Sequence, residues 1–231
     1  MRLAGRLALQ FLLLATVARA GELIPVDSLT VSNRVLVRSV IEHPTLRQEY
    51  AARQFKGQVP EFEWLLDHLD ACSVLAEKAG LLKYRATRRE DGRYYADNRD
   101  GAAGFILPVL ATEGKRAYYV EGHVRGVFSV SGRGVAVIEF RQAKADAIEY
   151  TGASFVKVDN VVAAMMAQLF AVFLRGAVDY HYDHVMGHPM QLSSRALNEP
   201  KALLEQIAQM PEGDRKLLEP FAALLRTEPS P

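Results

Sequence analysis

Cysteine is almost absent. The chain has one, Cys72, so no disulfide can form within it. Its neighbours Leu69, Val74 and Leu75 are apolar, which predicts a buried structural thiol rather than a reactive one. An excess of one charge is lacking too. The formal net charge is +1 and the basic residues are scattered, without the clustered basic face that nucleic acid requires. Long apolar runs are missing: the segment from Leu7 to Val17 is about half the roughly 20 residues of a membrane-spanning helix. The usual catalytic signatures are missing as well. There is no HExxH, no GxSxG nucleophile elbow, and no GxGxxG or GKS phosphate loop. Gly132-Arg133-Gly134 is read as part of a turn. No catalytic residue and no cofactor is assigned.

The short apolar run does have a context. Arg2 and Arg6 precede it, and Ala18-Arg19-Ala20 follows. A positive start, an apolar stretch and a small-x-small site describe a secretory leader. The expectation is an exported, periplasmic bacterial protein cut after Ala20, with an uncleaved N-terminal anchor as the alternative. No cysteine stands at the cleavage point, which argues against a lipid-anchored lipoprotein.

Residues 21–44 form an N-terminal extension in which Val31, Val35, Leu36, Val37 and Val40 suit either a short helix or a strand, ended by Pro44. A first strand is expected around Tyr50 to Phe55. Phe62, Leu65, Leu66 and Leu69 then recur at helical spacing between Pro60 and Gly80, predicting one helix or two broken near Asp70. From Leu81 the period changes to two, and six antiparallel strands follow in meander order. Glu90-Asp91-Gly92, Asn98 to Gly101, Thr112 to Lys115, Ser131 to Gly134 and Lys144 to Asp146 mark the turns. Pro108 places its strand at an edge or a bulge. On one strand Tyr118, Val120 and Val124 make an apolar face, leaving Tyr119, Glu121 and His123 for solvent. Pro189 to Ala196 is read as a linker, and two helices follow it, the first capped by Asn198 and the second by Asp214.

The stretch from Asp159 to His188 organises the rest. Asp159 and Asn160 suit a helix start. Met166, Phe170, Phe173, Ala177, His181, His184 and His188 follow at steps of three or four and share one helical stripe. The three histidines raise the question of metal. A helix spreads them over about 10 Å, so only His181 and His184 can readily grip one ion. The other reading is a polar helix end that favours histidine beside the negative C-terminal dipole. No metal site is assigned; His181, His184 and His188 stand as the subordinate alternative.

FKGQVPEFEWLLDHL at the front and FVKVDNVVAAMMAQLFAVFL at the back resemble the strand-to-helix start and the strand-to-helix end of the START-like (SRPBCC) helix-grip superfamily. The resemblance spans residues 45–188 and leaves 21–44 and the helical appendage of 189–231 outside it. It implies an α+β fold, with a curved antiparallel sheet of six to seven strands and a long C-terminal helix laid across it. It also implies a cavity between the two, usually for an apolar molecule. Pattern alone favours a filled core; the resemblance turns the reading towards a cavity. Tyr118, Val120, Val124, Ile138, Phe140, Met166, Phe170 and Phe173 would line it. The expected function is binding or transfer of a lipid or other hydrophobic small molecule in the cell envelope, with transient membrane contact and no nucleic acid. The alternatives are a cyclase- or hydrolase-like enzyme using the same cavity, and an envelope interaction module without ligand.

Overall fold

The computed structural model describes residues 23–81, 85–97, 101–125, 130–159 and 187–227, with Val124 described by its backbone alone. Helix α1 (Val31–Ile41) precedes strand β1 (Leu46–Lys56). Helices α2 (Val59–Asp67) and α3 (Leu69–Lys78) follow. Then come β2 (Arg85–Arg88), β3 (Tyr94–Asp97), β4 (Ala102–Thr112), β5 (Lys115–Val124), β6 (Val130–Lys144) and β7 (Ala147–Val158). Residues 187–198 form α4, before α5 (Pro200–Ala208) and α6 (Glu212–Leu224).

All seven strands join one curved antiparallel sheet in the order β1-β7-β6-β5-β4-β3-β2. The expected α+β class and curved antiparallel sheet are thus found, with the upper of the two expected strand counts; the long helix expected across the sheet lies outside the described residues. Strands β2 to β7 are a meander, and β1 pairs with β7 at the far edge. Because β1 and β2 occupy opposite edges, the chain between them must cross the sheet. Helices α2 and α3 make that crossing and cover one end of one face.

Local chemistry places the breaks. Pro60 sits in the first turn of α2, where a missing N–H costs nothing. His68 leaves helical geometry at φ −125°, ψ 68°, ending α2 and starting α3. Gly80 ends α3 at φ +72°, a conformation that glycine adopts without strain. Pro108 lies inside the sheet, and the β4–β5 register shifts between Pro108 and Leu110. With no N–H to donate, it is accommodated by the bulge.

Three expectations are corrected. Ser131 to Gly134 is not a turn but part of β6, paired residue by residue with β5. Residues 189–196 are not a linker but helical, because Met190, Leu192, Ser193 and Ala196 all find burial. Tyr119 does not face solvent. It is buried, at 4% exposure, because the N-terminal segment covers that side.

The sheet therefore has cover on both faces. On the outer face Ile24, Leu29, Val37 and Val40 pack over Ala117, Tyr119, Val135, Val137, Ala153 and Phe155. Thr30 caps α1 by accepting from the Asn33 N–H. Lys157 Nζ donates to the Ser39 carbonyl at 2.7 Å, tying α1 to β7. On the inner face Phe62 and Leu66 of α2, with Met190 of α4, pack over Tyr118, Ile138, Phe140, Ile148 and Tyr150. A further core joins α2, α3 and the three C-terminal helices through Leu65, Leu75, Leu192, Leu203, Ile207 and Phe221. Cys72 lies in this core as expected, and burial pushes its thiol up to about 12.

Candidate ligand-binding face of the sheet

Strand pairing fixes which side chains share the inner face, since alternate residues point to opposite sides. Two zones result. At one end α2 presses onto large residues. Phe62 meets Phe55 and Phe140 edge to face, with ring centroids 5.0 and 5.1 Å apart. The Tyr118 hydroxyl donates to the Leu66 carbonyl at 2.9 Å. The Tyr94 hydroxyl donates to that of Asp67 at 3.0 Å. Beside them Arg116, itself buried, makes a two-pronged bond to Asp67, Nε to Oδ1 at 2.6 Å and Nη2 to Oδ2 at 2.8 Å. Glu63 adds a weaker contact at 3.4 Å. Burial disfavours the guanidinium charge, but the bond and charge of Asp67, then the charge of Glu63, outweigh it and hold Arg116 above its ordinary pKa. These contacts bolt α2 to the sheet.

The other zone is made of small residues. Ala96, Gly104, Gly122 and Gly132 pair across four strands, β3 to β6. In the next row Val120 pairs with Gly134 and Gly134 with Val156. Ala136 sits between Tyr118 and Ser154 in the row after. All of these small residues are half-buried rather than buried. The glycines also bring backbones close. A Cβ on Gly104 would stand 2.4 Å from the Glu121 carbonyl oxygen, and one on Gly122 would stand 2.8 Å from that of Ala103. Strand glycines allow so close an approach of neighbouring backbones. Gly104→Ala is expected to lower stability by about 1–3 kcal/mol through forced backbone movement, measured by urea denaturation.

One polar spot interrupts this floor. The Tyr50 hydroxyl and Ser154 Oγ lie 3.2 Å apart, both buried. Gln48 neighbours Ser154 through the β1–β7 pairing.

Of the residues expected to line a cavity, Tyr118, Ile138 and Phe140 lie under α2 in the packed zone. Val120 is half-buried in the small-residue zone. The side chain of Val124 and residues Met166, Phe170 and Phe173 lie outside the described residues, as do His181 and His184. His188 is buried in α4. Among the described residues no three metal-binding side chains come together, and no helix is long and apolar enough to cross a membrane. The glycine floor escaped sequence reading because its members are far apart in the chain. Only cross-strand register unites them.

Glu61 near the start of α2 has one oxygen, Oε2, buried without a hydrogen-bond partner. Burial raises its pKa above the ordinary carboxylate value, against a smaller opposing backbone hydrogen bond. The ionised form is therefore the costly one in the native state. The penalty is absent below the unfolded-state pKa, grows as pH rises through the raised native value, and stays constant above it. Glu61→Gln should stabilise the protein at neutral pH, with the gain fading in acid. Thermal unfolding across pH 4 to 8 checks this.

No protein-family model matches the chain, and no curated protein matches it. Solved structures similar to it include a conserved protein from Geobacillus kaustophilus, 15% identical, with 63% of this chain and 96% of that chain covered at a TM-score of 0.46. A START superfamily protein from Mycobacterium smegmatis is 10% identical, with 63% and 98% covered and a TM-score of 0.41. The di-domain ARO/CYC BexL of the BE-7585A biosynthetic pathway is 13% identical, with 67% and 52% covered and a TM-score of 0.35. The strand order β1-β7-β6-β5-β4-β3-β2, with a helix pair crossing between the first two strands, is the curved antiparallel α+β arrangement expected from the sequence.

Proposed function

We propose that the chain is an exported protein that binds or passes on a lipid or similar apolar small molecule in the cell envelope. The molecule lies over the small-residue zone of the inner face, beside the end packed by α2. The observation that carries this reading is the floor of Ala96, Gly104, Gly122, Gly132 and Gly134. A sheet face lined by hydrogen atoms and methyl groups leaves room above it that a face of leucines would fill. Apolar walls from Ile106, Val120 and Val156 make that room favourable for hydrocarbon, at roughly 25 cal/mol per Å² buried. The Tyr50–Ser154 pair offers a hydrogen-bonding feature for a polar end of the guest. Arg2, Arg6 and the Ala18-Arg19-Ala20 site support export.

Protein purified from cells and extracted with organic solvent should release an apolar molecule detectable by mass spectrometry, and the intact mass should begin at Gly21. Ala136→Phe places a ring between Tyr118 and Ser154. It should abolish uptake of a fluorescent fatty acid while the far-UV spectrum stays that of the parent. An empty protein that takes up no such probe sinks the reading.

A further inference from the structure

Helix α1 is built from residues that resist being helical. Its sequence VSNRVLVRSVI holds four valines and an isoleucine, and β-branched side chains lose rotamer freedom in a helix. Its two serines and its asparagine offer the backbone competing hydrogen bonds. A helix of 11 residues is also too short to hold itself in water. Its burial is one-sided. Val37 and Val40 are fully buried, whereas Val31 and Val35 are 76% and 64% exposed. Helix α1 therefore exists because it docks.

Its seat lies directly behind the zone of small residues. Tyr119, Val135 and Phe155 pair in one row across β5, β6 and β7 and pack beneath the N-terminal segment. The next residue on each strand is Val120, Gly134 or Val156, and these pair in one row on the inner face. Gly122, Gly132 and Gly134 have no side chains with which to stiffen that face. Residues 23–41 contribute no strand to the sheet. Besides apolar contact, lysines hold them through neutral acceptors. Lys115 Nζ donates to the Leu23 carbonyl at 3.2 Å, and Lys157 Nζ donates to that of Ser39 at 2.7 Å.

We propose that residues 23–41 form a releasable strap, which undocks as a unit more readily than the sheet opens, and that docking of the strap and binding of the apolar guest favour each other. Units of this kind open at lower free energy than the core. The docked strap clamps β5, β6 and β7 from behind and fixes the shape of the floor. The guest fills the other side and holds the same strands in the shape on which α1 sits. Such coupling is reciprocal: the factor by which the guest steadies the strap is the factor by which the strap steadies the guest. The coupling rests on the proposal that an apolar guest lies over the floor; the undocking does not.

Backbone hydrogen exchange of the full chain, read peptide by peptide with and without the fluorescent fatty acid, tests both parts. Without the fatty acid, the amides of α1 should be at least about tenfold less protected than those of β5, β6 and β7. Equal protection in the two regions overturns the strap. Val35→Ala removes a β-branch from the solvent side of α1. It should slow exchange in α1 by about twofold or more and leave the sheet unchanged. With the fatty acid at saturation, exchange in α1 should slow by at least about fivefold. If β5, β6 and β7 slow and α1 does not, the guest binds and the coupling is overturned. If neither region slows, the fatty acid does not bind, and the apolar guest falls together with the coupling.

Discussion

Phe62→Ala should remove a large share of the folding stability. Phe62 is fully buried and stands where α2 meets the sheet, in edge-to-face contact with both Phe55 and Phe140. Removing a phenyl ring from such a site costs about 3–5 kcal/mol, through lost transfer energy and the void left behind. Domains of this size are held by only about 5–15 kcal/mol. The neighbouring rings cannot close the gap easily, because Phe140 is fixed on β6 and Phe55 near the end of β1. Urea denaturation followed by tryptophan fluorescence reads the effect, since Trp64 lies two residues away in the same helix. A loss below about 1 kcal/mol would mean that α2 does not pack on the sheet in this way.

The second large effect concerns charge. Asp67→Ala leaves the guanidinium of Arg116 buried with only Glu63, 3.4 Å away, as a charged partner. Breaking a buried pair by removing one member costs about 3–5 kcal/mol. Asp67 retains 39% side-chain exposure, so solvent softens the loss towards about 2–3 kcal/mol. The informative comparison is the double variant Asp67→Leu/Arg116→Met, which removes both charges and keeps apolar volume. It should be clearly more stable than Asp67→Ala alone. Equal stability for the two would show that the buried guanidinium is not what makes the single change costly.

Much of this packing was legible in the chain. The α2–α3 pair announced itself through Pro60, Gly80 and the helical spacing of Phe62, Leu65 and Leu66, all three of which are buried. Most hairpins were marked by glycine, and Gly92 and Gly114 do sit at positive φ. The same cue misled at Ser131 to Gly134. Glycine signals a turn when read along the chain, but here it relieves crowding across the sheet, and that need exists only once β7 is alongside, since a Cβ on Gly132 would stand 3.0 Å from the Lys157 carbonyl oxygen. The N-terminal segment was ambiguous because Val35, Leu36 and Val37 satisfy both periods at once. Without knowing that α1 docks, nothing local marked Tyr119 as buried, since Glu121 and His123 on the same face are polar. The helical nature of 187–198 was hidden by Pro189 and by a buried serine, Ser193, that reads as a loop residue. The lining expected from Met166, Phe170 and Phe173 lies outside the described residues. The candidate site therefore rests on the sheet side alone.

The pairing of β1 with β7 has a consequence for how the molecule comes into being. Leu46 meets Val156, and Lys56 meets Ala147, so the earliest strand to leave a ribosome finds its neighbour only when the last one arrives. Helix α1 waits equally long, since Ala153 and Phe155 help form its seat. No partial sheet that includes β1 can form before β7 has been made, and loop closure over this separation slows the final docking. Until then Val37 and Val40 stay wetted, and the nascent chain keeps a longer exposed, unsettled phase than a fold closed by local pairings.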